Sequence, residues 1–198
     1  MRNKIAETLQ HSAQVKLTAV DAVGDQIWNA ALVMAMALGQ GGKLMFCGNG
    51  GSAADAQHLA SEFVVRFTYD RAPLPAIALT TDASILTATG NDYQFDHVFR
   101  RQVQALGQPG DVLLAISTSG NSLNVLAAAE AARERRMRVI AMTGANGGRL
   151  GDCADVLVNV PSAVTARIQE THITIGHIWC DLLQEMMLKE GTLQDAQG

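Results

Sequence analysis

Short apolar runs recur along the chain from residue 43 onwards, each separated from the next by a stretch with helical periodicity. They cover residues 43–47, 75–79, 111–116, 139–143 and 156–160. The runs are apolar almost throughout instead of alternating with polar residues, which is typical of strands buried on both faces of a parallel sheet. Parallel strands are connected by crossover helices that pack on those faces. The sequence therefore predicts an α/β fold with a mainly parallel sheet and helices on both faces.

The segments between these runs predict the helices. They lie at residues 52–67, 82–89, 92–106 and 123–135, with a long helix over 165–189. Before the first strand, apolar residues recur at near 3.6-residue spacing from residue 3 to about 39, and Gly24 indicates a break into two helices. No internal linker interrupts the pattern, so residues 1–198 are predicted to form a single domain. The helical segment 1–40 exceeds what the sheet needs for cover, and we expect it to contribute to packing between subunits.

Composition fits a compact globular protein and disfavours several classes of partner. The chain has 198 residues, 48% of them hydrophobic and 17% charged, which allows a sizeable core. A net charge of -4 argues against nucleic acid as a direct ligand, and the arginines at 133–138 are interpreted as a solvated helix end. No apolar run reaches the length of a bilayer span, so we expect a cytoplasmic protein that does not bind membranes. Cys47, Cys153 and Cys180 are too far apart for a CxxC metal site and are expected to be reduced thiols.

Two strand-to-helix turns are rich in small residues, Gly48–Ser52 and Ser117–Ser122. At the carboxyl ends of parallel strands, such turns bring backbone N–H groups and a helix N-terminus close to an anion, and hydroxyls add neutral donors. One such turn could equally be a tight turn with a serine cap, but two of them favour a ligand site. Neither turn matches the Walker or GxGxxG nucleotide motifs, which favours a monophosphate.

A histidine and a carboxylate follow the first of these turns. His58 and Glu62 are four residues apart on a predicted helix and so share one face. A carboxylate and an imidazole in one place can act as the base and the acid of a proton transfer. The last helix carries Gln169 and His177, whose Cα atoms lie about 12 Å apart along a straight axis. They either bracket a site, lie on a bent or interrupted helix, or act with neighbouring subunits; His172 points away from His177 and is left out of the site.

These segments together resemble the sugar isomerase (SIS) domain family and, within it, the phosphoheptose isomerases, over nearly the whole chain. The resemblance is carried by residues 47–52, Gln57-His58, Glu62, 90–92, 114–122, 166–170 and His177. It implies conversion of sedoheptulose 7-phosphate to D-glycero-D-manno-heptose 7-phosphate, the first step toward ADP- or GDP-heptose for the lipopolysaccharide core. It also implies a homotetramer with active sites at subunit interfaces. Relatives that lack the acid and base bind a replication initiator protein, and such a non-catalytic regulator is the alternative.

The resemblance also implies roles for individual residues. Glu62 corresponds to the base and His177 to the acid. A zinc ion is expected on His58, Glu62, Gln169 and His177. The residues expected to contact the sugar phosphate are Asn49, Gly50, Gly51, Ser52, Glu62, Asn91, Asp92, Ser117, Thr118, Ser119, Ser122 and Gln169.

Overall fold

The computed structural model describes residues 1–189, which form a five-stranded sheet covered by helices. The strands are β1 (Leu44–Gly48), β2 (Ala76–Ala78), β3 (Val112–Ile116), β4 (Arg138–Gly144) and β5 (Val156–Val160). Their order is β2-β1-β3-β4-β5, and every neighbouring pair is parallel. Strands β1 and β3 are buried along their whole length. The predicted parallel sheet is confirmed, and its central strands are apolar because both of their faces are covered.

Helices cover both faces of the sheet, as predicted. They are α1 (Arg2–Gly39), α2 (Gly51–Val64), α3 (Ala83–Asp92), α4 (Arg100–Leu106), α5 (Leu123–Glu134), α6 (Gly148–Gly151) and α7 (Thr165–Lys189). One core lies between the sheet and α1, α2 and α7, and includes Phe46, Phe63 and Trp179. The other core lies on the opposite face, where α4 and α5 pack on the sheet. No helix within the described residues is long and apolar enough to cross a membrane.

The predicted break near Gly24 is wrong, because α1 is one continuous helix of 38 residues. Buried residues continue on one face of α1 across the glycine, from Val15 and Val23 to Ala30 and Met34. A glycine inside a helix costs only about 0.5–1 kcal/mol relative to alanine. Burial of several apolar side chains outweighs that cost.

The single helix predicted over residues 92–106 is also wrong. Helix α3 runs further than predicted, to Asp92, and a short 3-10 turn at Phe95–His97 follows before α4 begins. The backbone of Gln94 is extended, with φ −156° and ψ 157°, and this conformation interrupts the helical path. The change of direction lets Val98 and Phe99 reach the core beneath α5, which periodicity along one axis could not anticipate.

Candidate functional site

The carboxyl ends of β1 and β3 form a crevice at the point where the connections of the sheet change direction. From β1 the chain continues to β2 on one side, whereas from β3 it continues to β4 on the other. In open α/β sheets such a switch point is the usual place for a ligand. Both small-residue turns predicted from the sequence lie here, Gly48–Ser52 after β1 and Ser117–Ser122 after β3.

The first turn depends on its glycines. Gly50 has φ 55°, a left-handed conformation that disfavours other residues. A Cβ atom on Gly48 would lie 2.8 Å from the carbonyl oxygen of Ser52. The chain therefore turns tightly enough for α2 to start at Gly51, and Ser52 is buried in its first turn.

Hydroxyl groups converge in the second turn. Ser117 Oγ lies 3.0 Å from Ser122 Oγ and 3.5 Å from Ser119 Oγ, directly before α5 begins. Thr118 is half-buried beside them. Gly120 has φ 64° and touches the backbone of Gly147, so that the turn is held against the loop after β4. Clustered hydroxyl donors at the start of a helix form a suitable cradle for a phosphate group.

A pair of asparagine side chains joins the two turns. Asn49 Nδ2 donates to Asn124 Oδ1 at 2.8 Å, and Asn124 Nδ2 donates to Asn49 Oδ1 at 2.8 Å. Asn124 lies in the first turn of α5 and is only 2% exposed. Sequence reasoning missed Asn124, and its place two residues after the serine turn was the only signal that could have indicated it.

Helices α2 and α7 run parallel and close together, so that residues early in α2 face residues early in α7 and later residues face later ones. At the start of both helices, a Cβ atom on Gly51 would lie 2.5 Å from Gln169 Nε2. Further along, a Cβ atom on Gly176 would lie 2.5 Å from the Leu59 side chain. The absence of side chains at these two glycines lets the helices approach each other.

The close approach brings His58, Glu62 and His177 together. The two Nε2 atoms of the histidines are 2.9 Å apart, and His58 Nε2 is 3.6 Å from Glu62 Oε1. Phe67, which sequence reasoning did not identify, stacks on His177 with ring centroids 5.5 Å apart. The side chain of His58 is 45% exposed and that of Glu62 is 21% exposed, so that the cluster is open to solvent on one side.

Gln169 lies at the other end of this pair of helices. Its amide packs against Gly51, whereas His177 packs against His58, and α7 is continuous between them. Of the three arrangements left open by the sequence, an interrupted α7 is therefore excluded, and Gln169 and His177 bracket two helical turns within one copy. Within residues 1–189 no group of three His, Cys, Asp or Glu side chains, the cluster of His58, Glu62 and His177 included, is already spaced to hold a metal ion.

A buried arginine, also missed from the sequence, supports the end of α2 that carries Glu62. Arg71 is 5% exposed and donates from its guanidinium to the backbone carbonyls of Glu62, Phe63 and Ala72, each at 2.9 Å. Glu62 and Phe63 lie in the last turn of α2, where carbonyls lack partners within the helix, and the Phe63 oxygen also accepts from the Leu74 N–H at 3.0 Å. The predicted extension of this helix to Phe67 is wrong, because Arg71 folds back over the carbonyls where α2 ends at Val64.

Three further polar residues lie apart from the cluster. Asn91 and Asp92 are exposed in the last turn of α3, where Asn91 Nδ2 donates to Asp92 Oδ1 at 2.8 Å. His172 lies on the buried side of α7, with Nε2 3.0 Å from the Thr143 carbonyl oxygen. Burial lowers the pKa of His172 to about 4, so that its ring is neutral at pH 7. The prediction that His172 points away from the site is confirmed.

Several known proteins similar to this chain are phosphoheptose isomerases. The SIS domain family matches residues 9–144. The phosphoheptose isomerase of Thiobacillus denitrificans is 54% identical over 191 residues, which cover 95% of this chain and 97% of that protein. That of Nitratidesulfovibrio vulgaris is 57% identical over 165 residues, or 83% of this chain and 79% of the relative. Among solved structures, the phosphoheptose isomerase of Neisseria gonorrhoeae has a TM-score of 0.88 and 49% identity, covering 93% of this chain and 98% of the other.

Proposed function

The chain belongs to the SIS domain family and, within it, to the phosphoheptose isomerases, and we propose that it interconverts sedoheptulose 7-phosphate and D-glycero-D-manno-heptose 7-phosphate. It is an enzyme of the isomerase class. The observation that carries the proposed chemistry is the cluster of His58, Glu62 and His177, because it supplies a carboxylate and imidazoles in one open site. The product would serve the synthesis of ADP- or GDP-heptose for the lipopolysaccharide core.

The proposed mechanism moves one proton between neighbouring carbons. Glu62 takes a proton from C1 of the ketose while His177 gives a proton to O2, and the enediol forms. O1 then gives its proton to His177, and Glu62 returns its proton to C2, which gives the aldose and restores both residues. The carboxylate can serve both carbons because they are adjacent.

The donor atoms in the cluster are those that zinc prefers. Two nitrogen ligands at 2.0–2.1 Å from a tetrahedral zinc ion are about 3.3 Å apart, and the His58 and His177 Nε2 atoms, at 2.9 Å, need to separate only slightly. Glu62 would add one carboxylate oxygen and keep the other for its role as base. Because zinc would occupy Nε2 of His177, the proton that His177 gives would have to come from its Nδ1. When bound, zinc would polarise the sugar oxygens and stabilise negative charge on the enediolate. Gln169 would join these ligands from another copy, because within one copy it lies against Gly51.

The phosphate end of the substrate is proposed to bind at the switch-point crevice. Ser117, Ser119 and Ser122 would donate hydroxyl hydrogen bonds to it, together with Thr118. Backbone N–H groups from Asn49 to Ser52 would face it across the crevice, and Gln169 beside Gly51 would contact the sugar. Asn91 and Asp92 are exposed at the end of α3 and would contact the sugar from a neighbouring copy.

Within one copy, the crevice and Glu62 are far apart compared with the length of the substrate. Glu62 is eleven residues beyond Gly51, about 16 Å along the axis of α2. The five carbon–carbon bonds from C2 to C7 and the two bonds to phosphorus span at most about 10 Å at about 1.5 Å each. The sugar chain alone is shorter than this separation. This favours a substrate whose phosphate lies in the crevice of one copy while its C1 meets the Glu62 of another, and we propose active sites shared between subunits.

The outer face of α1 supports an assembly of this kind. Seven large apolar side chains on this helix are exposed: Ile5, Leu9, Leu17, Val20, Trp28, Leu32 and Met36. Large apolar side chains exposed in this number on one helix are typical of a subunit interface. We propose a homotetramer in which α1 packs between copies.

The test is turnover of sedoheptulose 7-phosphate with zinc, followed by NMR of the aldose product. Wild type is expected to form product, whereas Glu62→Gln and His177→Ala are expected to fall at least a hundredfold. Zinc binding is measured separately by metal analysis after dialysis, and His58→Ala is expected to lose the ion. Wild type without product, at normal folding and zinc content, would contradict the proposal.

Shared sites make a further prediction for mixed assemblies. The Glu62→Gln variant and the double variant Ser119→Ala/Ser122→Ala should each have little activity alone. In a random mixture of the two, about a quarter of the shared sites combine an intact Glu62 from one subunit with an intact serine turn from another, so activity should return. Each variant refolded alone is the control. A mixture no more active than its parents would contradict a site shared between copies.

The regulator alternative receives no support from these observations. This chain retains Glu62 and His177, and its relatives are named as isomerases. We further propose a cytoplasmic location, because all three cysteines are free thiols, as is usual in a reducing compartment.

A further inference from the structure

We propose that Asn124 is a positioning residue for phosphosugar binding, acting through Asn49 to hold the two sides of the crevice at a fixed separation. The proposal rests on the function proposed above, since it concerns the same crevice. Its ground is the reciprocal pair of amide hydrogen bonds at 2.8 Å between turns that are 75 residues apart in sequence.

The Asn49–Asn124 pair lies beyond the last hydrogen bonds between β1 and β3, where no strand pairing holds the two sides of the crevice together. β1 and β3 are hydrogen-bonded neighbours as far as Gly48 and Ile116, and beyond these residues the chain enters the two turns. The side chains of Asn49 and Asn124 connect the turns past the end of that ladder. Their two parallel bonds fix both the distance and the relative orientation of the amide planes.

The burial of Asn124 indicates that it acts through its partner. Asn124 is 2% exposed and directs both its donor and its acceptor at Asn49, whereas Asn49 is half-buried at the crevice. Loss of the Asn124 amide would leave the Asn49 amide without its two partners, and the turn would be free to reorient. The Asn49 backbone and the N–H groups that follow would then lose their common direction.

The kinetic consequence follows from which part of the substrate the crevice holds. The phosphate group is unchanged by the reaction, so its contacts stabilise the bound substrate and the transition state equally. Losing such uniform binding raises KM and leaves kcat unchanged. For Asn124→Ala we expect KM and the calorimetric Kd for sedoheptulose 7-phosphate to rise about tenfold, with kcat within threefold of wild type.

The matched control is Asn159→Ala. Asn159 lies on β5, and its Nδ2 donates one hydrogen bond to the Ala145 carbonyl oxygen at 3.0 Å, in the loop after β4, so that it does not connect the two turns. This variant should keep the wild-type KM. Asn124→Asp is a second variant, with a side chain of unchanged size. It can still accept from Asn49 Nδ2, but it places a carboxylate oxygen against Asn49 Oδ1 where the second hydrogen bond was, and we expect KM to rise as well.

A double-mutant cycle separates positioning from independent binding. If Asn124 acts through Asn49, Asn49→Ala and the double alanine variant should have the same KM within twofold. Multiplying effects would overturn the inference, as would an unchanged KM and Kd in a folded Asn124→Ala protein. Failure of both Asn124→Ala and Asn124→Asp to fold would also overturn it, because the pair would then serve the fold and not the crevice. An inactive wild type would instead refute the proposed function, and the calorimetric Kd would still test the pair.

Discussion

Substituting Gly51 by alanine is expected to abolish most turnover while leaving the fold intact. The added Cβ would lie 2.5 Å from Gln169 Nε2 and 3.0 Å from its Cδ. Ordinary contacts between such atoms are about 3.5–4.0 Å, so the amide must move by about 1 Å. A displacement of that size at a substrate-positioning group can cost on the order of a hundredfold in rate, and we expect kcat/KM to fall by about that factor.

Stability should change little, because the obstructing atoms belong to the end of a flexible side chain. The φ of Gly51 is outside the left-handed region, and the residue begins α2, where alanine is favoured over glycine by about 0.5–1 kcal/mol. We therefore expect the free energy of unfolding in urea to stay within about 1 kcal/mol of wild type. Turnover by NMR and urea unfolding on the same preparations would measure both quantities.

Gly24→Ala is the matched control for stability. No heavy atom of the same copy lies within 4 Å of a Cβ at this position in α1, so the variant should gain about 0.5–1 kcal/mol. Gln169→Ala completes the set, because it removes the amide itself. Gly51→Ala with wild-type turnover beside an inactive Gln169→Ala would refute the reasoning, as would an inactive Gly51→Ala beside an active Gln169→Ala.

Three further predictions follow from buried groups and close packing. Folding lowers the pKa of His172 from 6.5 to about 4. Between these two pH values the imidazole is protonated in the unfolded chain but not in the folded protein, so the free energy of unfolding should decrease by about 3 kcal/mol as the pH falls from 6.5 to 4. Urea unfolding across this range should show the slope, and His172→Gln should lack it. Gly176→Ala inserts a methyl group against the buried leucine of α2, and should cost about 1–3 kcal/mol and weaken zinc retention, both measured against wild type. Burial raises the pKa values of Cys47 and Cys180 to about 12, so in the native protein a thiol reagent at pH 8 should modify only the half-buried Cys153, and all three after unfolding. Rapid reaction of two or three native thiols would contradict that burial.

The sheet could be predicted from sequence because its signal is local. A run such as 112–116 is apolar at every position, and that pattern arises only where both faces are covered. Helix ends were less predictable, because they depend on distant partners. Helix α2 ends where Arg71 returns over its carbonyls, and Gly24 fails to interrupt α1 because the residues on either side are buried by other elements.

The candidate site could likewise be predicted only where its residues are close in sequence. Spacing alone placed His58 and Glu62 on one face of a helix, since four residues make about one turn. Spacing could not show that His177 meets His58 or that Gln169 meets Gly51, because both contacts depend on how α7 packs on α2. The contact of Asn124 with Asn49 could not be predicted for a related reason. An asparagine in the first turn of a helix commonly forms hydrogen bonds with its sequence neighbours, so its presence does not indicate a distant partner.

The direction of α2 explains why the proposed chemistry depends on assembly. In a parallel α/β fold, the helix after each strand starts at the carboxyl edge of the sheet and runs back toward the amino edge. Each residue along α2 is therefore about 1.5 Å further from the crevice, and Glu62 in the last turn lies far from the phosphate turns of its own copy. The exposed apolar face of α1 offers the contact that would bring a second copy to that position. Under the proposed function, a charged substitution there, such as Leu17→Glu, would abolish turnover without touching a ligand, because it separates the base from the sugar that it must deprotonate.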